Sequence, residues 1–434
     1  MEDFKITRYF NTCSPYKTSS LDSKEYVDID NFMIDDRKVD VRGGGCIDTI
    51  AKIINRSEEA SISYFTGYPG SGKTTELEKL QRKLETDWLC VKIDTMDYLD
   101  LNATISTIDI YTTIIYSLAN AVGRYTNLSE DQIFKSSGYL DRLVTWLKDT
   151  HVELKSGELG IDGGKLIIEM KNIPAFREQV RAHLESHFTK FRDDTMREIE
   201  QLNKTVQSFE RDGRRKKGLV VIVDSLEKNH GIGDTIDPVA KAIEGIFVNR
   251  ERMRLPIHVV YTISPYLSAR GNLGKIEFLP VVKVIDKNDI PYRDGIEVMR
   301  MIAHRRIDEN DLQIMLGDTH KDRLKQLILL SGGFPRDFLI LLQQVVLVED
   351  YPLSENAFIK IFSNIKNQYQ EFLPIEYKET LQQIQIDKSI NSIQSDDKHR
   401  IAYDLFRNHV ILRYQNNDIW FSVHPAALSF LQDK

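Results

Sequence analysis

The sequence predicts an α/β protein built on a parallel sheet, and three observations support this fold class. A β-prone run at 62–65 leads into a glycine-rich loop at 67–74, and a helix with regularly spaced leucines follows at 76–84. The runs LVVIVD at 219–224 and PIHVVYTIS at 256–264 are apolar nearly throughout, as strands buried on both faces of a parallel sheet are. A parallel sheet with helices between its strands follows from these patterns.

The loop at 67–74 matches the phosphate-binding P-loop pattern Gly-x4-Gly-Lys-Thr without a mismatch. Its glycines let the backbone turn tightly, so that successive N–H groups can point at a triphosphate. Lys73 is predicted to reach the β- and γ-phosphates of ATP, and the Thr74 hydroxyl to ligate Mg²⁺. A Gly/Ser turn before an ordinary helix is the alternative, but the strand–loop–helix context favours a nucleotide site. The other predicted nucleotide contacts here are Gly67, Pro69, Gly70, Ser71, Gly72 and Thr75.

Composition indicates a soluble, cytoplasmic protein of two or three domains. The chain has 434 residues, with hydrophobic (41%) and charged (28%) fractions that are ordinary for globular proteins. Its formal net charge is −7, so no overall field attracts nucleic acid or an anionic membrane. Three scattered cysteines without metal spacing are typical of reduced thiols. We find neither a signal peptide nor an apolar run of about 18 residues, and therefore expect no membrane span.

The first two thirds of the chain carry the predicted core. Residues 1–45 form a polar and aromatic N-terminal segment, and 46–290 form the core, which begins with a helix. Further strands are expected at 88–93 and 278–285. An insert at about 125–217 separates the two halves of one site.

Within the insert, the alternating, glycine-containing stretch 152–172 predicts a β-hairpin. Pro174 then opens one long charged helix with sparse apolar positions. This helix is expected to form either a coiled-coil arm or a solvated spacer.

The last third of the chain is helical over 291–365 and ends in a mixed unit at 366–434. That unit combines a helix at 399–409 with two alternating strands, 410–415 and 419–424, around a polar turn. The arrangement resembles a winged-helix unit.

Two acids after the strand at 219–224 are predicted to serve the metal and the attacking water. Asp224 ends the strand and would hold Mg²⁺ as the Walker B acid, at the end of a strand neighbouring that of the P-loop. Position 225 is a serine, so the next acid is Glu227, which we expect to position the water for hydrolysis. Alternatively, Glu227 caps a turn and pairs with Lys228.

Polar residues at the end of the second apolar strand are candidates for sensing the γ-phosphate. Thr262 and Ser264 lie where a parallel sheet binds ligands, and a period of two places them on the same face. A serine–proline turn that merely ends the strand is the alternative. We therefore expect one or both hydroxyls beside the P-loop.

The stretch Ser331-Gly-Gly-Phe-Pro335-Arg336 separates two predicted helices. A plain turn explains the glycines, which end one helix, and Pro335, which begins the next. It does not explain Arg336, because a cation is disfavoured just inside a helix N-terminus. A bound phosphate would account for it.

Together these motifs resemble prokaryotic AAA+-type P-loop ATPases of the STAND and origin-initiator branch, of the kind found in anti-phage defence systems. The spaced acids Asp-Ser-Leu-Glu are similar to the NACHT pattern, and the resemblance covers most of 40–434. It implies a three-layer α/β P-loop NTPase core, a helical lid at 291–365 and a C-terminal winged helix. It also implies that Pro335 contacts the base, that Arg336 reaches the phosphates as sensor 2, and that Val41 and Arg42 belong to a linker that wraps the base.

Several basic residues have two interpretations. Arg270 is the first candidate for an arginine that acts across a subunit interface, and each arginine of this group is alternatively a surface residue; the others are Arg250, Arg252, Arg254, Arg305 and Arg306. A cluster between the insert and the strand at 219–224 forms a solvated loop or contacts nucleic acid: Arg211, Arg214, Arg215, Lys216 and Lys217. In the tail, acids offset the basic residues, which favours protein contacts over DNA reading.

The resemblance and the charge favour a slow, Mg²⁺-dependent ATPase that works as a switch. We expect it to assemble into a homo-oligomer on nucleotide binding and to regulate a separate effector protein, because the chain has no nuclease, deaminase or protease constellation of its own. The alternative is a DNA-binding initiator or loader ATPase, for which nucleic-acid binding has weaker support from the acidic net charge.

We expect Lys73→Ala to bind ATP at least about tenfold more weakly, because a hydrogen bond to a charged phosphate contributes about 1.5–3 kcal/mol. The fold should stay intact, as circular dichroism can show. Titration with a fluorescent ATP analogue measures the affinity. An unchanged affinity would contradict the P-loop assignment.

Overall fold

The computed structural model describes residues 2–17, 20–100, 102–128, 163–229, 236–270 and 273–432 of the chain. Within them, a five-stranded parallel sheet forms the centre of an α/β P-loop fold, as the sequence predicts. Its strands are β1 (Ile62–Gly67), β2 (Leu89–Asp94), β3 (Leu219–Asp224), β4 (His258–Thr262) and β5 (Ile276–Leu279). Their order across the sheet is β2-β3-β4-β1-β5.

The strand order corrects one expectation about the site. Asp224 was expected on a strand next to that of the P-loop, but β4 lies between β1 and β3. Val259 of β4 is paired with Ile62 on one side and with Val221 on the other. Because all five strands are parallel, their carboxyl ends still meet at one edge of the sheet, where Asp224 and Thr262 end their strands.

Helices cover both faces of the sheet, so the core has three layers. On one face, Val220 and Ile222 of β3 pack in a cluster with apolar residues of α2 (Cys46–Arg56) and α3 (Lys73–Leu84). On the other face, Val221 and Val223 belong to the larger core that includes α4 (Thr107–Thr126). This alternation follows from the two-residue repeat of a strand and explains why the whole of β3 is apolar.

The insert differs from its prediction. Residues 163–172 of the predicted hairpin form a helix, α5 (Gly163–Asn172), while 152–162 lie outside the described residues. The alternation was misleading because Leu166, Ile167 and Met170 are buried at helical spacing.

The long charged helix is also not as expected. It is divided at His187 into α6 (Pro174–Ser186) and α7 (Phe188–Ser208), and both pack against α4. The sparse apolar positions still form a stripe, in which Leu184 and Phe191 are fully buried. Neither a coiled-coil arm nor a solvated spacer describes these helices.

The N-terminal segment contains a helix that the sequence analysis did not predict, α1 (Asp3–Thr12). Lys5 pairs with Asp311 at 3.0 Å, and the Tyr9 hydroxyl donates to Asp308 at 2.7 Å, so α1 is attached to the helical part that follows the sheet. Two-residue strands pair after it, Met33–Ile34 with Arg37–Lys38, and a similar pair lies before β3, Glu210–Arg211 with Arg214–Arg215.

The second half of the chain is mostly helical after α8 (Ile236–Val248), which lies between β3 and β4. The strand expected at 278–285 ends at Leu279, although Val281, Val282 and Val284 are buried beyond it. The following helices are α9 (Arg293–His304), α10 (Glu309–Leu316), α11 (His320–Leu330), α12 (Pro335–Val346), α13 (Glu355–Glu371), α14 (Lys378–Asp387) and α15 (His399–Arg407).

An antiparallel hairpin ends the chain, with β6 (Ile411–Asn416) and β7 (Asp418–Val423). The helix followed by two strands is confirmed, and its assignment as a winged helix stays a prediction. We call residues 291–365 the lid and 366–432 the C-terminal part. Among the described helices, none has both the length and the apolar content needed to cross a bilayer.

The glycines before Pro335 are needed for close packing. Gly332 and Gly333 have φ values of +59° and +75°, in the left-handed region that favours glycine. A Cβ on Gly333 would collide with the Val282 carbonyl oxygen and lie 2.9 Å from its carbon. The turn is therefore pressed against the segment that follows β5.

We expect Gly333→Ala to lower the free energy of unfolding more than Gly44→Ala, the matched control. Both residues have left-handed φ values, which cost a side chain about 1–2 kcal/mol, but a Cβ on Gly44 meets no atom within 4 Å. Overpacking should add about 1–3 kcal/mol at Gly333. Urea unfolding measures the difference, and equal losses would contradict the packing argument.

Candidate nucleotide-binding site

A cavity of about 300 Å³ lies at the carboxyl edge of the sheet, over the P-loop. P-loop residues 69–76 line one side, and Arg42, Glu227, Pro335 and Arg336 line others. The structure thus brings together four segments that lie far apart in the sequence. The volume is at the lower end of the range for small-molecule pockets.

The P-loop joins β1 to α3 as predicted, and its shape depends on glycine. Gly70 and Gly72 have φ values of +97° and +96°. A Cβ on Gly67 would lie 3.0 Å from the carbonyl oxygen of Leu279, so this end of the loop is closely packed. Lys73 is the first residue of α3, with Thr74 and Thr75 in its first turn. The helix N-terminus faces the cavity, which suits an anion.

Lys73 connects the P-loop to the turn after β3. Its buried Nζ donates to the carbonyl oxygens of Gly67 and Tyr68, at 3.0 and 3.2 Å. It also lies 3.1 Å from Glu227 Oε1, and both side chains are almost fully buried. The structure therefore places the predicted water-positioning acid directly beside the P-loop lysine.

The two acids have opposite electrostatic environments. Burial and the neighbouring Glu227 carboxylate raise the pKa of Asp224, although Lys92 approaches its Oδ2 to 3.5 Å. Burial also disfavours ionisation of Glu227, but Lys73 and a hydrogen bond with Thr262 hold the pKa of Glu227 below its ordinary value. Glu227 is charged, and a divalent cation would favour the charged form of Asp224 as well.

The structure separates the two predicted sensor residues. Thr262 Oγ1 donates to the Val223 carbonyl oxygen at 3.2 Å and accepts from Leu226 N–H at 3.3 Å, so it supports the turn that carries Glu227. Neither Thr262 nor Ser264 is among the described residues that line the cavity. The period of two does not extend to Ser264, because β4 ends at Thr262 and a turn follows.

Arg336 lies in the first turn of α12, against the P-loop. A Cβ on Gly70 would lie 2.8 Å from Arg336 Cζ, so the guanidinium covers this glycine. Burial lowers the pKa of Arg336. Its neighbour Pro335 begins α12 and also lines the cavity.

The predicted base-wrapping segment is only partly at the cavity. Arg42 is buried, with Nη1 3.5 Å from Glu76 Oε1 and Nη2 donating to the Ser71 carbonyl oxygen at 3.4 Å. Val41 instead belongs to the core, and its carbonyl oxygen accepts from Lys283 N–H at 2.9 Å. Val41 is not among the described residues that line the cavity.

The polar atoms around the cavity fit ATP and Mg²⁺. Within the described residues, Ser71 Oγ, Glu227 Oε2 and Arg336 Nε are buried without a hydrogen-bond partner. Other buried polar atoms of the described residues also lack a partner, but these three belong to residues that line one cavity, an arrangement that suits a polar ligand. Phosphate oxygens would suit Lys73 and Arg336, and Thr74 offers an oxygen ligand of the kind that Mg²⁺ prefers. Asp224 offers another at the end of β3, although it is not among the described residues that line the cavity.

Sequence reasoning missed the N-terminal side of the cavity. Residues 15–17, 25–27 and 29 line it, including Tyr16 and Tyr26, whereas we expected residues near 41 to contact the base. This segment is attached to the lid where Arg306 donates to the Glu25 carbonyl oxygen at 3.0 Å, and to α3 where Lys79 pairs with Asp28 at 2.7 Å. The aromatic content of residues 1–45 was the available signal.

Lys92 was also missed, although a lysine within an apolar strand was visible in the sequence. It lies on β2, and its Nζ is 3.5 Å from Asp224 Oδ2. Several basic residues that were candidates for a subunit interface or for nucleic acid form ion pairs within the chain. Arg270 lies 3.0 Å from Glu244, Arg254 lies 3.3 Å from Glu59, and Lys217 lies 2.7 Å from Asp87. A role of Arg270 or Arg254 across a subunit interface stays a prediction, as does contact of Lys217 with nucleic acid.

No family model and no curated protein matches the sequence. Similar solved structures include a Walker-type ATPase of Pyrococcus abyssi, with 10% identity and a TM-score of 0.41 over 88% of this chain and 94% of that chain. CDC6p of Pyrobaculum aerophilum has 13% identity and a TM-score of 0.31, over 89% and 90%. The ORC2 protein of Aeropyrum pernix, in ADPNP–ADP complexes, has 11% identity and a TM-score of 0.34, over 93% of both chains. Likeness at this level establishes no activity for this chain.

We expect Asp224→Ala to lose Mg²⁺-dependent ATP binding, and Glu227→Gln to keep ATP bound but hydrolyse it at least about 100-fold more slowly, as for loss of a positioned base. Phosphate release and nucleotide titration separate the two effects. Glu210→Gln, an acid on the exposed hairpin before β3, is the control. Hydrolysis by Glu227→Gln at the wild-type rate would assign the water-positioning role elsewhere.

Proposed function

We propose that this chain is a cytoplasmic, Mg²⁺-dependent switch ATPase that assembles into a homo-oligomer on binding ATP. In this proposal the oligomer regulates a separate effector protein, in bacterial anti-phage defence. The observation that carries the proposal is the contact between Arg336 of the lid and Gly70 of the P-loop. A ligand held by the P-loop would therefore touch the lid, and its binding energy could be used to move the lid.

Each part of the site has a distinct task in this proposal. The P-loop backbone and Lys73 hold the phosphates, and Thr74 with Asp224 holds Mg²⁺. When bound, Mg²⁺ would neutralise the negative charge that develops on the phosphates. Glu227 orients the attacking water, supported by Thr262 through the turn at Leu226. Because Lys73 also pairs with Glu227, phosphate binding and water positioning share one cation.

The environment of α15 supports a switch over a DNA reader. All residues of this helix are described, and Arg400 alone is exposed, with its guanidinium paired to Asp237 and Asp404 at 2.9 and 3.0 Å. Ala402, Tyr403, Leu405 and Phe406 are buried, and the Tyr403 and Tyr266 ring centroids are 5.1 Å apart. A helix buried in this way is not free to enter a DNA groove.

A DNA-binding initiator or loader ATPase is the second candidate. It is favoured by the exposed basic hairpin before β3, where Arg211 and Arg214 carry charge beside the Arg215–Glu210 pair. Duplex binding that is enhanced by ATP and weakened by salt would support this candidate.

We expect Arg336→Ala to bind ATP about tenfold more weakly, the effect of one hydrogen bond to a charged group. It should also fail to change its oligomeric state with a non-hydrolysable ATP analogue. Light scattering measures the mass of wild type, this variant and the control Arg293→Ala, whose side chain is mostly exposed at the start of α9. The same ATP-dependent mass in all three proteins would show that Arg336 is a residue of an interhelical turn without a switch role.

A further inference from the structure

A buried carboxylate lies next to Arg336 in the first turn of α12. Asp337 is 3% exposed, and its Oδ2 accepts a hydrogen bond from the Tyr369 hydroxyl at 2.7 Å. His424 Nε2 lies 3.3 Å from the same oxygen, and His409 Nε2 lies 3.7 Å from Oδ1. A carboxylate needs such partners to be buried, since an unpaired buried charge is costly.

Asp337 belongs to the lid and the two histidines belong to the C-terminal part, while Tyr369 lies on α13 (Glu355–Glu371), which runs from the lid into the C-terminal part. His424 Nδ1 accepts the Ala426 N–H at 3.1 Å, so the proton of a neutral His424 ring lies on Nε2, which faces Asp337. Burial raises the pKa of Asp337, but the neighbouring His424 ring and the hydrogen bond from Tyr369 hold it below its ordinary value. Asp337 is therefore a charged link between two parts of the chain.

The same partners enclose the turn that leads into α12. The His409 ring lies 4.6 Å from that of Phe334, and the Tyr369 and His424 rings are stacked 4.3 Å apart. On the other side of the turn, the Tyr414 hydroxyl donates to the Gly332 carbonyl oxygen at 2.7 Å. The C-terminal part thus determines where the first turn of α12 lies.

Arg336 and Asp337 are consecutive residues of that turn, so a shift of one shifts the other. Arg336 covers Gly70 on the P-loop side, and Asp337 is held on the side of the C-terminal part. The helix dipole favours a negative charge at a helix N-terminus, which would explain an exposed aspartate there. It does not explain why Asp337 is buried among Tyr369, His409 and His424.

We propose that Asp337 is a positioning residue for nucleotide binding, through which Tyr369, His409 and His424 hold Arg336 at the P-loop. This inference rests on the proposed function. It makes the C-terminal part a determinant of ATP affinity without any contact between that part and ATP. Coupling between two sites is reciprocal. The binding of ATP to Arg336 would therefore affect the C-terminal part through the same link.

The test compares two tyrosines whose hydroxyls each donate a hydrogen bond to an aspartate, only one of which is Asp337. Tyr369→Phe removes the hydroxyl bound to Asp337, and Tyr377→Phe removes one bound to Asp404, also at 2.7 Å and also in the C-terminal part. We expect Tyr369→Phe to bind ATP about three- to tenfold more weakly, the effect of one hydrogen bond, and Tyr377→Phe to bind as the wild type does. Thermal unfolding of both variants shows whether they are comparably folded.

A double-mutant cycle then separates positioning from general destabilisation. In the Arg336→Ala background, Tyr369→Phe should have no further effect on ATP affinity, because there is no guanidinium left to position. His409→Asn repeats the test at a more exposed partner of Asp337, and asparagine suits its φ of +44°. It keeps the test valid if Tyr369→Phe does not fold.

Equal affinities of wild type, Tyr369→Phe and His409→Asn would overturn the positioning role and leave the proposed function intact. An additive effect of Tyr369→Phe in the Arg336→Ala background would overturn it as well. If the wild-type chain binds no ATP, the proposed function and this inference fail together. A loss confined to Tyr369→Phe and His409→Asn, and absent without Arg336, supports the inference.

Discussion

The buried ion pair between Lys73 and Glu227 is the interaction on which the site depends. A lysine and a glutamate buried this deeply need partners, and here the pairing with each other adds to the carbonyl oxygens that Lys73 already binds. The pair joins the P-loop after β1 to the turn after β3, although β4 separates the two strands in the sheet. At the end of β4, Thr262 is hydrogen-bonded to Val223 and Leu226 on the β3 side, and the Ile263 N–H donates to the Phe65 carbonyl oxygen of β1 at 2.9 Å. Three strand ends are thereby held as one unit.

A second constraint comes from the turn between α11 and α12, which contacts three parts of the chain. Gly333 packs against Val282, Phe334 packs against Tyr68 of the P-loop with centroids 6.3 Å apart, and Tyr414 binds Gly332. Tyr68 also stacks on Phe406 of α15 at 6.2 Å. The nucleotide cavity is therefore surrounded by a packed core that includes residues of the lid and of the C-terminal part.

Local patterns predicted what local physics controls. The P-loop, α3 and the strands of the sheet were predictable because glycine geometry, helical spacing and burial on both faces leave direct traces in the sequence. The insert was misread for the same reason: Leu166, Ile167 and Met170 fit a short alternating pattern as well as a helical one, and no local signal decides between them. Ser264 was placed by a strand period that ends at Thr262.

By itself, the sequence determined the α/β class, the phosphate-binding loop and the unusual cation at Arg336, because each depends on residue types within a few positions. Only the tertiary structure decided that Glu227 pairs with Lys73, that Arg336 covers Gly70, and that residues 15–17 and 25–27 line the cavity. The sequence separations are large, from 154 between Lys73 and Glu227 to 266 between Gly70 and Arg336. Such contacts depend on strand order and chain packing, which no local pattern encodes.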